Sequence, residues 1–276
     1  MVQVIERQLD ETTPRHNEWP SAVWSSGGRD CDDVSRGIAD AIEHCVFRLN
    51  PKRGERILDL SAGTGWTSRV LARRGASVVG THIASGLLQA RARAEAEGLA
   101  VEYRIGEAES LPFQDGEFDA VVSTFGVISA GRPEAAASEL ARVCRAGGRI
   151  ALTTWTSDGN VLQMFEVMLR YITMPSTPAL RSPFEWGRTE RVRQLLGATF
   201  RLRFERGVSY YRESSGEAAW ETFSKAYGPT RALVNVLDPD KREALRKDFT
   251  TFHASFPTEL GISVPRDYWL TVGTRI

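Results

Sequence analysis

Residues 57–68 read "ILDLSAGTGWTS", an apolar strand that runs into a turn of small residues and then into a helix. In such a unit the backbone N–H groups of the turn and of the helix start can meet a polar or anionic ligand, and Gly63 and Gly65 allow a close approach. The next predicted strand, "SVVGT" (77–81), leads through His82 and Ile83 into a second helix, "SGLLQARARAEAE" (85–97). A dinucleotide fingerprint would place a third glycine where Ser68 stands and an acid where His82 stands, so the turn alone is a weak signal.

Outward from this unit, strands and helices alternate. Strand "RILDL" (56–60) and a helix from Trp66 to Arg74 precede the two elements above. Then follow "VEYRI" (101–105), "FDAVVSTF" (118–125), helix "PEAAASELARVCR" (133–145) and strand "RIALTTW" (149–155). Ser85 is an expected N-cap, Gly98 and "AGG" (146–148) expected helix stops, and Pro133 suits a first helical turn. This alternation predicts a parallel α/β sheet with crossover helices. Upstream, Ile38, Ile42, Cys45, Val46 and Leu49 recur at helical spacing. Downstream come a helix (159–172), a loop with prolines and serines (173–187), a short helix (189–197) and a strand-like run (200–211). Residues 216–256 read as helical, and "DYWLTVGTRI" (267–276) as a last strand. The expected organisation is an N-terminal helical lid (1–50), a cofactor-binding core (51–156), and a C-terminal part (157–276) that completes the same domain and carries a helical substrate cap at 216–256.

Composition narrows the function. A chain of 276 residues with 42% hydrophobic content buries a substantial core, and 35 basic against 35 acidic residues offer no positive field for nucleic acid or an anionic membrane. A small-molecule substrate is expected, with no nucleic-acid partner and no membrane insertion. The first twenty residues show no basic segment followed by an apolar run, so a cytoplasmic location is expected. Cys31, Cys45 and Cys144 fit neither a disulfide framework nor a metal motif, and no HExxH, CxxC, GxSxG or GxxxxGK[ST] pattern is present.

The combined pattern "ILDLSAGTG", "GASVVGTHIA", "GEAESLPFQDGEFDAVVSTFGV" and "ELARVCRAGGRIALTTW" resembles the class I S-adenosylmethionine-dependent methyltransferases from about Arg56 to Trp155. Within them it is most similar to the small-molecule branch that includes the ubiquinone and menaquinone C-methyltransferases. The resemblance implies a Rossmann-like, mostly parallel seven-stranded sheet with helices on both faces and a helical insertion before the last strand. It implies S-adenosylmethionine as cofactor and S-adenosylhomocysteine as product. It also implies site residues. Asp59 would contact the methionine portion or organise the loop, and Ser61, Ala62, Gly63, Thr64 and Gly65 would pass the cofactor with their backbone. His82 and Ile83 would lie at the ribose and adenine, Gly106, Glu107, Ala108 and Glu109 around the adenine, and Ser123, Thr124 and Phe125 beneath the donor. Trp24 would either cover the cofactor or anchor the N-terminal segment on the core. Ser61 departs from the family's usual glycine, His82 from its usual Asp or Glu, and "STFG" stands where amino-methylating enzymes of DNA and protein carry [ND]PP[YFW].

A carboxylate accepts both ribose hydroxyls, whereas neutral imidazole has one acceptor. The exchange removes a charge-assisted bond worth about 1.5–3 kcal/mol. His82 thus keeps one ribose bond, marks a different nucleoside, or marks a silent site. For catalysis, His253 shares a helix face with Leu245, Phe249, Phe252 and Phe256 and is the candidate general base, unless it is a core histidine. Tyr210, Tyr211, Tyr227 and Trp220 are candidates for an acceptor pocket or for plain core. Methyl transfer by in-line displacement to a C, O or N atom is expected. The alternatives are a catalytically silent S-adenosylmethionine-binding module and a nicotinamide-dependent oxidoreductase.

Overall fold

The computed structural model describes residues 22, 23, 26, 31–82, 86–172 and 182–276. In chain order, α1 (Cys31–Arg36) and α2 (Ala39–Leu49) precede β1 (Arg56–Asp59), α3 (Trp66–Arg73), β2 (Ser77–His82), α4 (Gly86–Ala96) and β3 (Val101–Ile105). Then come β4 (Phe118–Thr124), α5 (Pro133–Val143), β5 (Cys144–Trp155), α6 (Asn160–Leu169), α7 (Thr189–Leu196) and β6 (Phe200–Glu213). Helices α8 (Gly216–Ala226), α9 (Gly228–Val236) and α10 (Pro239–Ala254), the short β7 (Pro257–Thr258) and β8 (Gly261–Arg275) complete it.

The sheet runs β3-β2-β1-β4-β5-β8-β6. Strands β1 to β5 pair in parallel, and β8 lies antiparallel to both β5 and β6. The path holds the seven expected strands. An eighth, the two-residue β7, pairs with the start of β8 and is too short to leave a pattern in the sequence. The chain steps outward from β1 to β3 and returns on the other side of β1. The strand order therefore reverses between β1 and β4, which opens a crevice at the carboxyl ends of those strands.

Apolar periodicity accounts for the elements that frame this crevice. Ile57 and Leu58 of β1 are fully buried, as are Ala120, Val121 and Val122 of β4 and Ile150, Ala151 and Leu152 of β5. These near-continuous apolar runs are what strands covered on both faces require. Helix α2 buries Ala41, Ile42, Cys45, Val46 and Leu49 on one face, each large aliphatic contributing about 1.5–3 kcal/mol. Pro133 opens α5, while Ser215 and Asp238 cap α8 and α10 by accepting from the N–H groups of Ala218 and Lys241. "AGG" (146–148) does not end a helix as expected. Helix α5 stops at Val143, and Arg145–Gly148 bulge out of β5, because Phe118 pairs with Cys144 and Ala120 with Arg149.

The last two strands outrun the rest. β6 and β8 stay paired from Phe200↔Arg275 to Glu213↔Ile262, whereas β5 leaves β8 at Trp155↔Tyr268. A two-stranded ribbon therefore projects past the carboxyl edge of β5, and α8, α9 and α10 are inserted in the chain at its tip. Among the described residues no helix is long and apolar enough to cross a membrane.

Candidate active site

Two turns at the carboxyl edge build the site. After β1, the Leu60 N–H donates to the Val122 carbonyl at 2.8 Å and the Ala62 N–H to the Thr81 carbonyl at 2.7 Å, so the turn is held by both neighbouring strands. Ser61, Gly63 and Gly65 all take left-handed backbone conformations (φ 58°, 55° and 80°). Serine at such an angle costs about 1–2 kcal/mol that glycine does not. The second turn follows β4, where Phe125 has φ 56° and its N–H donates to the Thr153 carbonyl at 3.0 Å. The turns press on each other at Gly126, where a Cβ would stand 2.5 Å from the Ser61 Cβ and 2.9 Å from the Leu60 carbonyl oxygen. Ser123 joins them by donating to the Leu60 carbonyl and accepting from the Val127 N–H, both at 2.9 Å. Strained non-glycine backbone held in place from several sides is a mark of a functional site.

The turns border a cavity of about 230 Å³. Ser61, Gly63, Thr64, His82 and Gln89 line it at the β1–β2 end, and Thr124, Phe125 and Gly126 beside them. Toward β5, β8 and β6 the wall is aromatic, with Trp155, Tyr211, Phe223, Tyr227 and Phe252, and includes His253 and Arg266. Phe125 stacks on Trp155 with centroids 3.7 Å apart and planes 13° off parallel. Val34 and Ile38 close a further side. Helix α1 is fastened there by Asp32, which accepts from Trp66 Nε1 at 2.8 Å and pairs with Arg93 at 3.0 Å.

Of the residues expected at the site, Ser61, Gly63, Thr64, His82, Thr124, Phe125 and His253 line the cavity. Ala62, Gly65, Gly106, Glu107, Ala108, Glu109, Ser123 and Asp59 do not. Asp59 is 1% exposed and accepts from the Ser68 hydroxyl at 2.6 Å, so it braces the turn from behind; burial pushes its carboxyl up to about 7. Gly65 is backed by Tyr103, whose hydroxyl fills the space a side chain would need. The Gly106 N–H donates to the His82 carbonyl at 3.2 Å, Ala108 is core, and Glu109 accepts from the Arg132 N–H at 2.8 Å. Glu107 is buried and bridges to Ser110. Trp24 and Ile83 lie outside the described residues, as does the expected N-cap Ser85. Tyr210 is exposed, and Trp220 packs on Phe249 away from the cavity.

Both histidines of the cavity are neutral. His82 keeps some surface toward the cavity, but its Nδ1 is buried without a partner, and desolvation pushes its pKa down to about 4. His253 is 1% exposed, its Nδ1–H donates to the Phe249 carbonyl at 2.9 Å, and burial likewise lowers it to about 4. That hydrogen bond leaves Nε2 as the acceptor nitrogen of the ring.

Residues 58–152 match the family model described as a methyltransferase domain. An uncharacterized protein of Mycobacterium tuberculosis, Rv1403c, is 39% identical over 247 residues, which are 84% of this chain and 84% of that one. The demethylmenaquinone methyltransferase of Clavibacter sepedonicus is 42% identical over 107 residues, 39% of this chain and 44% of that protein. The chain belongs to the class I S-adenosylmethionine-dependent methyltransferases. The YcgJ protein of Bacillus subtilis shares the fold, with a TM-score of 0.59 at 18% identity, over 85% of this chain and 97% of that one.

Several cavity residues of this methyltransferase escape sequence reasoning: Gln89, Trp155, Asn160, Met164 and, above all, Arg266. Arg266 does leave a trace. Ile262, Val264, Arg266, Tyr268 and Leu270 are the alternate, buried positions of β8, and an arginine in such a row is anomalous.

Proposed function

We propose that this enzyme transfers the methyl group of S-adenosylmethionine to a small apolar or aromatic metabolite, by in-line displacement within the capped cavity. The observation that carries the reading is one continuous cavity with a strained, glycine-containing turn at one end and an aromatic wall at the other. The residues fit the cofactor. Thr64 Oγ1 and His82 Nδ1 are buried without partners, and a Cβ on Gly63 would meet nothing within 4 Å. A polar nucleoside and amino-acid ligand would satisfy the first two and lie against the third.

In this reading the backbone of Ser61, Gly63 and Thr64 follows the cofactor, and Asp59 holds the turn in shape. His82 accepts one ribose hydrogen bond, and Thr124 and Phe125 lie under the donor. When bound, S-adenosylmethionine supplies an electrophilic methyl group on a sulfonium. The chain supplies proximity: a partly enclosed cavity holds the nucleophile near the attack line, which is worth more here than acid–base chemistry. With a conjugate acid near 4, His253 is a weak base at neutral pH, and its part is to accept a hydrogen bond from the nucleophile and orient it.

Native mass spectrometry of the purified protein tests the reading, together with calorimetric titration of S-adenosylhomocysteine. A co-purifying adenosyl ligand or micromolar binding supports it. A bound nicotinamide dinucleotide, or no adenosyl binding at all, overturns it.

A further inference from the structure

Arg266 stands in the aromatic part of the cavity wall with only 7% of its surface exposed. Its Nη2 donates to the Gly37 carbonyl and, at 3.1 Å, to the Ser209 hydroxyl. Its Nε is buried and has no partner. The guanidinium lies 5.5 Å from the ring centres of both Trp155 and Tyr211. Asp40 reaches it through Ser209, whose hydroxyl donates to Asp40 Oδ1 at 2.8 Å, and no carboxylate of the described residues forms an ion pair with Arg266. The described residues lining the cavity include no Asp or Glu, and both histidines there are neutral. Desolvation lowers Arg266 only to about 10, so it remains a cation at neutral pH.

A buried, incompletely paired cation is expensive unless something compensates it. The imbalance deepens if, as proposed above, the cavity also receives a sulfonium. We propose that Arg266 is the anchor for a carboxylate on the acceptor, so that the substrate is an aromatic or apolar organic acid. With Nη2 engaged by Gly37 and Ser209, the remaining N–H groups of the guanidinium are left for an anion, and its geometry matches a planar carboxylate. Trp155, Tyr211 and Tyr227 give the rest of such a molecule an apolar, ring-shaped environment. β8 lies three strand spacings from β1, about 14 Å across the sheet, so the carboxylate would sit at the end of the cavity away from the glycine turn.

The inference rests on the methyltransferase reading of the cavity, and the test separates the two. Titration calorimetry first establishes that S-adenosylhomocysteine binds; if it does not, the cofactor reading fails irrespective of Arg266. The loaded protein is then titrated with benzoate, cinnamate, 1-naphthoate and 2-naphthoate, and with the matching carboxamides, which have the same shape and no charge. At least one acid should bind tenfold or more tightly than its amide. Arg266→Gln should abolish that preference with S-adenosylhomocysteine affinity unchanged, and Arg266→Lys should retain part of it. The acid-to-amide comparison on the parent protein stands even if Arg266→Gln does not fold. Equal binding of acids and amides, no binding of any acid up to 10 mM (about −2.7 kcal/mol), or a preference that survives Arg266→Gln overturns the proposal.

Discussion

Replacing His82 by aspartate puts the electrostatics of the proposed nucleoside end to a quantitative test. With its pKa lowered from 6.5 to about 4, His82 carries a proton in only roughly 3 in 10,000 molecules at pH 7.5, so it adds no repulsion toward a sulfonium and no attraction either. Its buried, unpartnered Nδ1 offers one acceptor. Aspartate would offer two oxygens and a full negative charge. The added charge-assisted hydrogen bond is worth about 1.5–3 kcal/mol, or roughly ten- to a hundredfold in affinity. Without ligand the same carboxylate is buried and unsatisfied, at a cost of about 1–3 kcal/mol or more. His82→Asp should therefore bind S-adenosylhomocysteine more tightly in calorimetry and unfold at lower urea concentration when ligand-free. The parent's affinity should be flat between pH 6 and 8. Weaker binding by the variant would refute the assignment of His82 to the ribose and favour a different nucleoside.

Ser61→Gly removes a left-handed strain of about 1–2 kcal/mol and adds chain entropy of about 0.5–1 kcal/mol to the unfolded state, so urea melts should show a net gain of up to about 1.5 kcal/mol; a loss would mean the hydroxyl makes a bond that outweighs the strain. Gly126→Ala should cost about 1–3 kcal/mol and weaken S-adenosylhomocysteine binding, because two of the three atoms its Cβ meets are backbone oxygens that cannot yield; unchanged binding would show the two turns to be independent. Between pH 4 and 7 opposing slopes act on stability. Asp59, raised from 3.8 to about 7, stabilises the fold at low pH and loses that contribution as pH rises through this window. His82 and His253, both lowered to about 4, stabilise above pH 6.5 and lose it as pH falls. Asp59→Asn should thus make stability rise more steeply from pH 4 to 6.5, and an unaltered slope would show that Asp59 is already ionised in the folded protein.

The glycine-turn end of the cavity is legible because its determinants are local. A strand, a glycine turn and a helix lie within twelve residues, and alternation of elements supplied the sheet around them. The aromatic end is a matter of pairing between distant segments. Ser209 meets Arg266 only because β6 and β8 pair in one register, and no local pattern announces that Gly37 completes the contact. Asp59 illustrates a subtler limit. Its place in the motif is readable, but whether it faces ligand or protein depends on the orientation of Ser68 one helical turn away from the glycines. The bulge in β5 was hidden for the opposite reason: "AGG" is a good local stop signal, overridden by the pull of β4 on Cys144 and Arg149.

The bond from Arg266 to the Gly37 carbonyl joins residues 229 positions apart. At a synthesis rate of about 5–20 residues per second, roughly 11–46 s separate the appearance of the two partners on the ribosome. A nascent chain that has delivered β1 to β5 already owns the glycine turn, but about half of the cavity lining has yet to be made. Its apolar rings, Trp155 among them, wait uncovered until β8 arrives. Apolar surface left open over such an interval is the kind that aggregates and that chaperones shield.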